Sequence, residues 1–232
     1  MQKEEKQIKI TTPIAIIVAG VLIMVAILLT GGFNQGNKEK TLSQQLGISK
    51  EKLVECIEGF DENSFYAKIQ ESITKANKND SIGTPYIVIA GESGVKVEVR
   101  GAEEYDAFKK YIDDINNGTA VSQYTGEVVV SEEGDHVYGN QNAPIKIIEY
   151  SDYECRYCKK VHETLGRIVD ESNGGVSWTY RHLPILGPNS VAKAVAGECV
   201  AQIKGNDAFW KYTKLTFDLL KTGEEKTFQD NL

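Results

Sequence analysis

The chain has 232 residues, of which 41% are hydrophobic and 25% charged, and its net charge is −7. This composition is that of an ordinary globular protein, and the length allows one large domain or two small ones. Because Lys and Arg occur only in scattered pairs, the charge argues against a nucleic-acid partner. Four cysteines are too few for a small scaffold held together by disulfides.

The first feature along the chain is the uncharged apolar stretch Pro13–Leu29, which has 17 residues. With Thr30–Phe33 it reaches about 20 residues, which is enough to cross a hydrocarbon core. Lysines 3, 6 and 9 precede the stretch and predict that the short tail stays cytoplasmic. We therefore expect a cytoplasmic tail, an uncleaved membrane anchor and a polar linker, over residues 1–12, 13–33 and 34–40.

A cleaved signal peptide is the alternative interpretation of this stretch. Its apolar core would usually be shorter, and an Ala-x-Ala pattern would follow. No cysteine follows the stretch either, which argues against a bacterial lipoprotein. An anchored domain that faces outwards from the cell membrane, on the periplasmic side, would lie where disulfides persist.

Helices and strands alternate in the first half of the remaining chain. Apolar residues recur every four positions over Thr41–Asn79, which predicts helices divided at Gly47 and Gly59. An apolar strand, a strand with one wet face and a helix are predicted next, at Tyr86–Ala90, Val95–Arg100 and Glu103–Ile115.

The second half begins with a connection of about twenty residues, in which Glu127–Val130 is a candidate edge strand. Two apolar strands are predicted at Ile145–Tyr150 and around Val176, Trp178 and Tyr180. Helices are predicted after the first strand and at the end of the chain, over 158–169, 192–204 and 207–220.

The sequence Cys155-Arg156-Tyr157-Cys158 lies between a strand and a helix. Two cysteines with this spacing at the first turn of a helix predict a redox pair. The helix start offers unpaired N–H groups and a partial positive charge, which favour the thiolate that attacks disulfides. Arg156 adds a full positive charge. Half of a zinc site is the alternative, but such a site normally needs a second pair, and none is present.

Residues 135–220 resemble the first half of a DsbA-type thioredoxin-fold disulfide oxidoreductase, in GNQNAPIKIIEYSDYECRYC, WTYRHLPI and AGECVAQIKGNDAFWKYTKLTFD. Residues 41–117 resemble the second half of that family, in LGISKEKLVECIEG, IGTPYIVI and VRGAEEYDAFKKYID. The resemblance implies the thioredoxin-like α/β fold, in which helices flank a central sheet and a helical subdomain is inserted.

The two halves stand in the reverse of the family's order, because Thr84-Pro85 precedes Cys155. We interpret residues 41–232 as one circularly permuted domain, in which 41–117 is the C-terminal half of the fold and 136–232 the N-terminal half. The connection 118–135 would then join the former termini, since a chain of this length can span roughly 60 Å. A fragment of a tandem array and two chains exchanging halves are the alternatives.

The resemblance also implies roles for individual residues. Cys155 would attack, Cys158 would resolve the mixed disulfide, and Pro85 would follow a cis peptide bond beside them. Glu149 shares a strand face with Ile145 and Ile147, so we expect it to point inwards and to exchange a proton with Cys158. The residues expected at the substrate are Thr84, Arg156, Tyr157 and, from a loop, His182, for which a structural role is the alternative.

In the permuted arrangement Cys56 and Cys199 lie on helices of one subdomain, and we expect a structural disulfide between them. Two buried free thiols are the alternative, since cysteine packs well in cores. His162 follows the cysteine pair at a spacing that suits a third metal ligand, but we expect an exposed polar position on the helix instead. No metal or cofactor is therefore predicted.

The function implied is an anchored thiol–disulfide oxidoreductase for cysteine-containing proteins outside the cytoplasm. Its electron partner would be a quinone-linked or vitamin-K-reductase-like membrane protein. Oxidase, reductase and isomerase directions all stay open, because they depend on the reduction potential and on that partner. A non-catalytic binding module with a vestigial dithiol is the alternative from another class, and a zinc protein is a third.

Overall fold

The computed structural model describes residues 40–77, 83–122 and 124–220. In this part of the chain no helix is long and apolar enough to cross a membrane, and the predicted anchor, residues 13–33, lies outside it. The elements are, in chain order, α1 (Leu42–Leu46), α2 (Lys50–Glu58), α3 (Glu62–Ala76), β1 (Tyr86–Gly91), β2 (Lys96–Arg100), α4 (Tyr105–Asn116), β3 (His136–Gly139), β4 (Ile145–Ser151), α5 (Arg156–Glu171), β5 (Val176–His182), α6 (Pro188–Lys204) and α7 (Asn206–Leu219).

Side-chain caps begin the first three helices. Thr41 forms a capping box with Gln44, in which each side chain accepts a hydrogen bond from the other residue's backbone N–H. The side chains of Ser49 and Asp61 cap α2 and α3 by accepting a hydrogen bond from Lys52 N and Ser64 N. Gly47 ends α1 in the left-handed conformation, with φ of 63°, which glycine adopts at little cost. The predicted breaks near Gly47 and Gly59 are confirmed.

The five strands form one mixed sheet in the order β2-β1-β4-β5-β3. β4 and β5 run parallel and are joined through α5, whereas β1 runs antiparallel to β4. Tyr86, at the start of β1, therefore pairs with Tyr150, near the end of β4. This register brings the residues before β1 to the edge of the sheet from which α5 departs.

Apolar side chains cover both faces of the sheet. On one face, Ile87 and Ile147 belong to a large core that includes α4, α5, α6 and α7. On the other face, Val88 and Ile148 pack with Ile73 of α3 in a smaller core. β1 and β4 are buried on both faces, as their continuous apolar sequences predict.

The helices at the side of the sheet come from both ends of the described chain. α1 packs against α7, and α2 packs against α6. Lys204 of α6 donates to the carbonyl oxygen of Leu46 at 2.9 Å. Residues 41–60 and 188–219 therefore build one helical subdomain.

The predicted edge strand at Glu127–Val130 is wrong, because no strand forms between 124 and 135. Val128 is instead buried against the second core, and Glu127 N donates to Lys75 O at 2.7 Å. The edge strand is β3, four residues that pair with β5. Only His136 is buried along it, so it lacks the run of apolar residues that would have predicted it.

Candidate active site

Cys155 is the N-cap residue of α5, with extended backbone at φ −85° and ψ 115°. The loop that leads to it is held by Asp152, whose carboxylate accepts backbone hydrogen bonds of 2.8–2.9 Å from Glu154, Ile185 and Leu186. Asp152 thus ties the turn before the cysteine to the loop after β5. The Cys155 side chain is 6% exposed, so the sulfur lies just below the surface.

The loop before β1 lies against this sulfur. The Thr84–Pro85 peptide bond is cis, and Cys155 Sγ, as a thiol, donates to the Thr84 carbonyl oxygen at 3.3 Å. The antiparallel pairing of β1 with β4 explains the contact, because both residues lie at the same edge of the sheet. Thr84 and Cys155 are 71 residues apart in sequence and are thus in contact through the Cys155 sulfur.

The surroundings of Cys155 favour its thiolate. A hydrogen bond from the Cys158 thiol lowers the pKa of Cys155 most, burial opposes this, and the Thr84 side chain and the N–H groups of Cys158 and Tyr157 lower it further. The resulting pKa is about 6, against an ordinary value of 9.0. Most of the Cys155 population is therefore ionised at neutral pH, and the thiolate is the nucleophile in disulfide exchange.

Cys158 has the opposite character. It is fully buried one helical turn further on, and burial raises its pKa well above the ordinary value, with further increases from the neighbouring Cys155 and Glu149. The pair therefore divides into an ionised outer sulfur and a protonated inner one.

Glu149 is buried on the β4 face that points towards α5, as the strand pattern predicts. Its Oε2 accepts a hydrogen bond from Trp178 Nε1 at 3.0 Å. Its Oε1 makes no hydrogen bond of good geometry among the described residues, although the Ser151 side chain is close enough to lower the pKa of the carboxyl. Burial raises the pKa of Glu149 to about 8, so this carboxyl holds a proton at neutral pH. It can supply that proton to a neighbouring sulfur.

Sequence reasoning did not assign Trp178 a part in the site. It pairs with Ile147 on the adjacent parallel strand and lies on the same face as Glu149. The alternation of Val176, Trp178 and Tyr180 along β5 could have indicated this, because alternate residues of a strand point to the same face of the sheet.

Arg156 and Tyr157 are both exposed beside the cysteines. The Arg156 guanidinium lies over the Tyr157 ring, 5.7 Å from its centroid. Arg156 is not among the main groups that lower the pKa of Cys155, which are hydrogen-bond donors. The charge that the sequence suggested as a stabiliser of the thiolate is therefore secondary to local hydrogen bonds.

Two histidines differ from their expected positions. His182 is the last residue of β5, not a loop residue, and its side chain is buried beside Tyr153 and Tyr180. His162 packs between aromatic rings, 4.8 Å from Trp178 and 5.0 Å from Phe217 between centroids. The expectation of an exposed His162 is wrong, and burial lowers its pKa to about 4.

Cys56 and Cys199 form a disulfide, the pairing that the resemblance implied. The bond joins α2 to α6 across 143 residues of sequence, with the Cα atoms 5.7 Å apart. Cys155 and Cys158 are free thiols. Among the described residues, neither belongs to a group of three or more His, Cys, Asp or Glu that could hold a metal ion.

This site and sheet define a thioredoxin-like α/β domain. Residues 131–231 match the family model described as Thioredoxin. The match includes the cysteine pair, β4, α5 and β5, but it leaves out Thr84 and Pro85.

Several proteins share sequence with this chain. A Bacillus cereus protein named Probable disulfide bond formation protein D is 28% identical over 97 residues, which are 40% of this chain and 44% of that protein. A Salinispora arenicola protein named Na(+)/H(+) antiporter NhaA 1 is 31% identical over 84 residues, or 36% of this chain and 13% of that protein. The chain thus spans less than half the length of either relative.

Among solved structures, Pseudomonas aeruginosa DsbA2 is 34% identical, with a TM-score of 0.35, over 38% of this chain and 50% of that one.

Proposed function

We propose that this protein is a thiol–disulfide oxidoreductase that forms or exchanges disulfides in proteins through Cys155 and Cys158. The observation that carries the proposal is the division of the pair: the outer sulfur has a pKa of about 6, and the inner one is buried with a raised pKa. The match to the thioredoxin family over the same residues supports it. A vestigial dithiol would not need a buried proton-holding carboxyl beside it.

The chemistry is a pair of sulfur exchanges. The Cys155 thiolate attacks one sulfur of a substrate disulfide and forms a mixed disulfide, and the other substrate sulfur leaves as a thiolate. With a pKa of about 8, Glu149 is ionised in a minority of chains at neutral pH. In those chains Cys158 loses its proton to the Glu149 carboxylate, attacks Cys155 Sγ and releases the second substrate sulfur as a thiolate. Two electrons pass to the substrate, and the enzyme is left with a Cys155–Cys158 disulfide. The same steps in reverse oxidise a substrate dithiol, with Glu149 returning the proton to Cys158.

Thr84 and Pro85 would hold the substrate strand at Cys155. Proline has no N–H, so the loop edge near Thr84 is left for the backbone of an extended peptide. The exposed Arg156 and Tyr157 flank the same sulfur and would contact the peptide's side chains.

Substitution of Cys155 tests the proposal. The Cys155→Ser variant should lose at least about a thousandfold in insulin reduction or in oxidation of a reduced unfolded protein, because the other free cysteine of the described chain, Cys158, is fully buried. The Cys158→Ala variant should instead accumulate mixed disulfides, visible as high-mass bands without reductant. Unchanged turnover in Cys155→Ser would exclude the proposal and favour a binding module.

We also propose that the domain is circularly permuted, with residues 118–135 joining the former termini. The helical subdomain that α1 and α2 share with α6 and α7 supports this, since it brings together the two ends of the described part of the chain. A gene that opens the chain within 118–135 and links residue 232 to residue 40 should give the same Cys155 pKa. Failure of that chain to fold would contradict the permutation.

Residues 13–33 are proposed to anchor the domain outside the cytoplasm, with a membrane redox partner that recycles the cysteine pair. The uncharged length of the stretch and the lysines before it support this. The full chain should stay in the membrane fraction after an alkaline wash, and removal of residues 1–33 should release it. A mixed disulfide between Cys158→Ala and an integral membrane protein would identify the partner. Recovery of the full chain in the soluble fraction would contradict the anchor.

A further inference from the structure

Three side chains converge away from the cysteine pair. His136 Nε2 lies 2.8 Å and His182 Nε2 lies 3.0 Å from the same carboxylate oxygen, Oε1 of Glu198. The three potential ligand atoms all lie within 4.8 Å of one another. The two imidazoles are 10% and 4% exposed, and Glu198 is 22% exposed.

Rigid elements hold each member of this cluster, which we call the His136–His182–Glu198 cluster. His136 begins β3 and His182 ends β5, on two strands that pair with each other. Glu198 lies on α6 next to Cys199, whose disulfide fixes α6 against α2. Phe209 stacks on the His136 ring at 3.6 Å between centroids. The site is therefore preformed by the fold.

Hydrogen bonding alone does not account for the cluster. The contact between His136 Nε2 and Glu198 Oε1 is a hydrogen bond. His182 Nε2 lies within ion-pair distance of the same oxygen, at 3.0 Å, but the contact does not have the geometry of a hydrogen bond. One carboxylate oxygen is therefore approached by two buried imidazole nitrogens, of which only one is hydrogen-bonded to it.

A cavity of about 1160 Å³ opens at the cluster. Besides the three side chains, its lining includes Glu133, Asp135 and Tyr150. An ion held by two imidazole nitrogens and one carboxylate oxygen would therefore keep coordination positions for water or another small ligand.

The donor set indicates the chemical class of that ion. Imidazole suits zinc, copper, iron and nickel, and two histidines with one glutamate are a known zinc ligand set with an open position. Tetrahedral ligands at about 2.0–2.1 Å from zinc lie roughly 3.3 Å apart. Two of the present separations, 2.8 and 3.0 Å, are slightly shorter than that value, and all three lie within 4.8 Å, so small side-chain movements would suffice.

We propose that His136, His182 and Glu198 bind one divalent first-row transition metal ion, with Zn²⁺ the best match, in the lining of this cavity. The site is separate from the cysteine pair and uses no sulfur ligand. It would join β3, β5 and α6 at one point and leave the ion open to the cavity.

Calorimetric titration of the untagged full chain with ZnCl₂ tests the site. The protein is first oxidised, so that Cys155 and Cys158 form a disulfide and cannot bind the metal. We expect one Zn²⁺ per chain with a dissociation constant in the micromolar range or below. Glu198→Gln keeps the shape of the side chain and should weaken binding at least about a hundredfold, as should His182→Gln. Glu133→Gln, in an exposed residue of the same cavity, is the matched control and should bind as the wild type does.

X-ray absorption of Zn²⁺ bound to the wild-type chain provides a readout that needs no variant to fold. Nitrogen and oxygen neighbours with imidazole scattering and no sulfur would support the site. No binding by the oxidised chain, sulfur neighbours, or equal affinity in a folded Glu198→Gln variant would each overturn it. Neither result bears on thiol–disulfide exchange, which the Cys155→Ser assay measures.

Discussion

The two cysteine pairs of this protein show how the same side chain serves two purposes. Cys56 and Cys199 are 143 residues apart, lie on two packed helices and form a disulfide. Cys155 and Cys158 are close in sequence at the start of one helix and are free. The ionisation of Cys155 and Cys158 depends on the helix start, on the hydrogen bond between the two sulfurs and on the buried carboxyl of Glu149. This comparison shows that nearby hydrogen-bond donors, more than the distance between the two sulfurs, distinguish a reactive cysteine pair from a structural one.

Removing the structural pair should separate stability from reactivity. In the Cys56→Ala/Cys199→Ala variant we expect the free energy of unfolding to fall by about 2–5 kcal/mol, because the disulfide closes a long loop in the unfolded chain. Denaturant titration measures this loss. The alkylation rate of Cys155 should stay within about twofold of the wild type, and a large fall would show that the two pairs are coupled.

Glu149→Gln should slow thiol–disulfide exchange by about ten- to a hundredfold at neutral pH, since amide cannot carry the proton of Cys158. Stopped-flow kinetics of the resolving step measure this effect. Glu163→Gln, an exposed position on α5, is the matched control and should be unchanged. An unaffected Glu149→Gln variant would remove Glu149 from the proton path.

The same substitution should change how stability depends on pH. The folded chain holds the Glu149 proton up to about pH 8, whereas an unfolded carboxyl releases it near 4.5. Stability therefore falls as pH rises between these values, by up to about 5 kcal/mol. Glu149→Gln should lack this fall, so its stability relative to the wild type should improve from pH 5 to pH 9. Parallel pH profiles would contradict burial of an ionisable group.

The pKa of Cys155 should respond to its hydrogen-bond donors in order of their contribution. Thiolate absorbance in the ultraviolet should titrate near pH 6 in the reduced wild type. Cys158→Ala removes the leading donor and should move the midpoint clearly upwards, and Thr84→Val should move it less. A wild-type midpoint near 9 would contradict the whole comparison.

Arg156→Ala should have the smallest effect. The side chain is exposed, and solvent screens its charge, so we expect less than a threefold change in the alkylation rate of Cys155. A change as large as that of Cys158→Ala would show that charge, and not hydrogen bonding, controls the sulfur.

The central features of the site could be predicted from sequence because they follow from short-range patterns. The strand before Cys155, the helix after it and the inward face of Glu149 all follow from apolar spacing. The contact of Thr84 with Cys155 and the Cys56–Cys199 bond needed the family resemblance, since no local pattern links positions so far apart.

Other parts depended on tertiary packing that sequence does not display. The expectation for His162 rested on its polarity, yet it lies four residues after Cys158 and three before Leu165, which are both buried, and aromatic rings from β5 and α7 pack on it. β3 is four residues long and is stabilised mainly by pairing with β5. The cluster of His136, His182 and Glu198 joins three elements whose side chains carry no shared spacing in the chain.

The pairing of β1 with β4 has a consequence for the newborn polypeptide. The ribosome synthesises residues 40–117 before residues 136–220, so β1 cannot pair with β4 until the second half of the fold has been made. Thr84 can reach Cys155 only after that pairing has formed. The contribution of Thr84 to the low pKa of Cys155 is therefore acquired only when both halves of the fold have been made, whereas the donors of Cys158 and Tyr157 are beside the sulfur in the chain from the start.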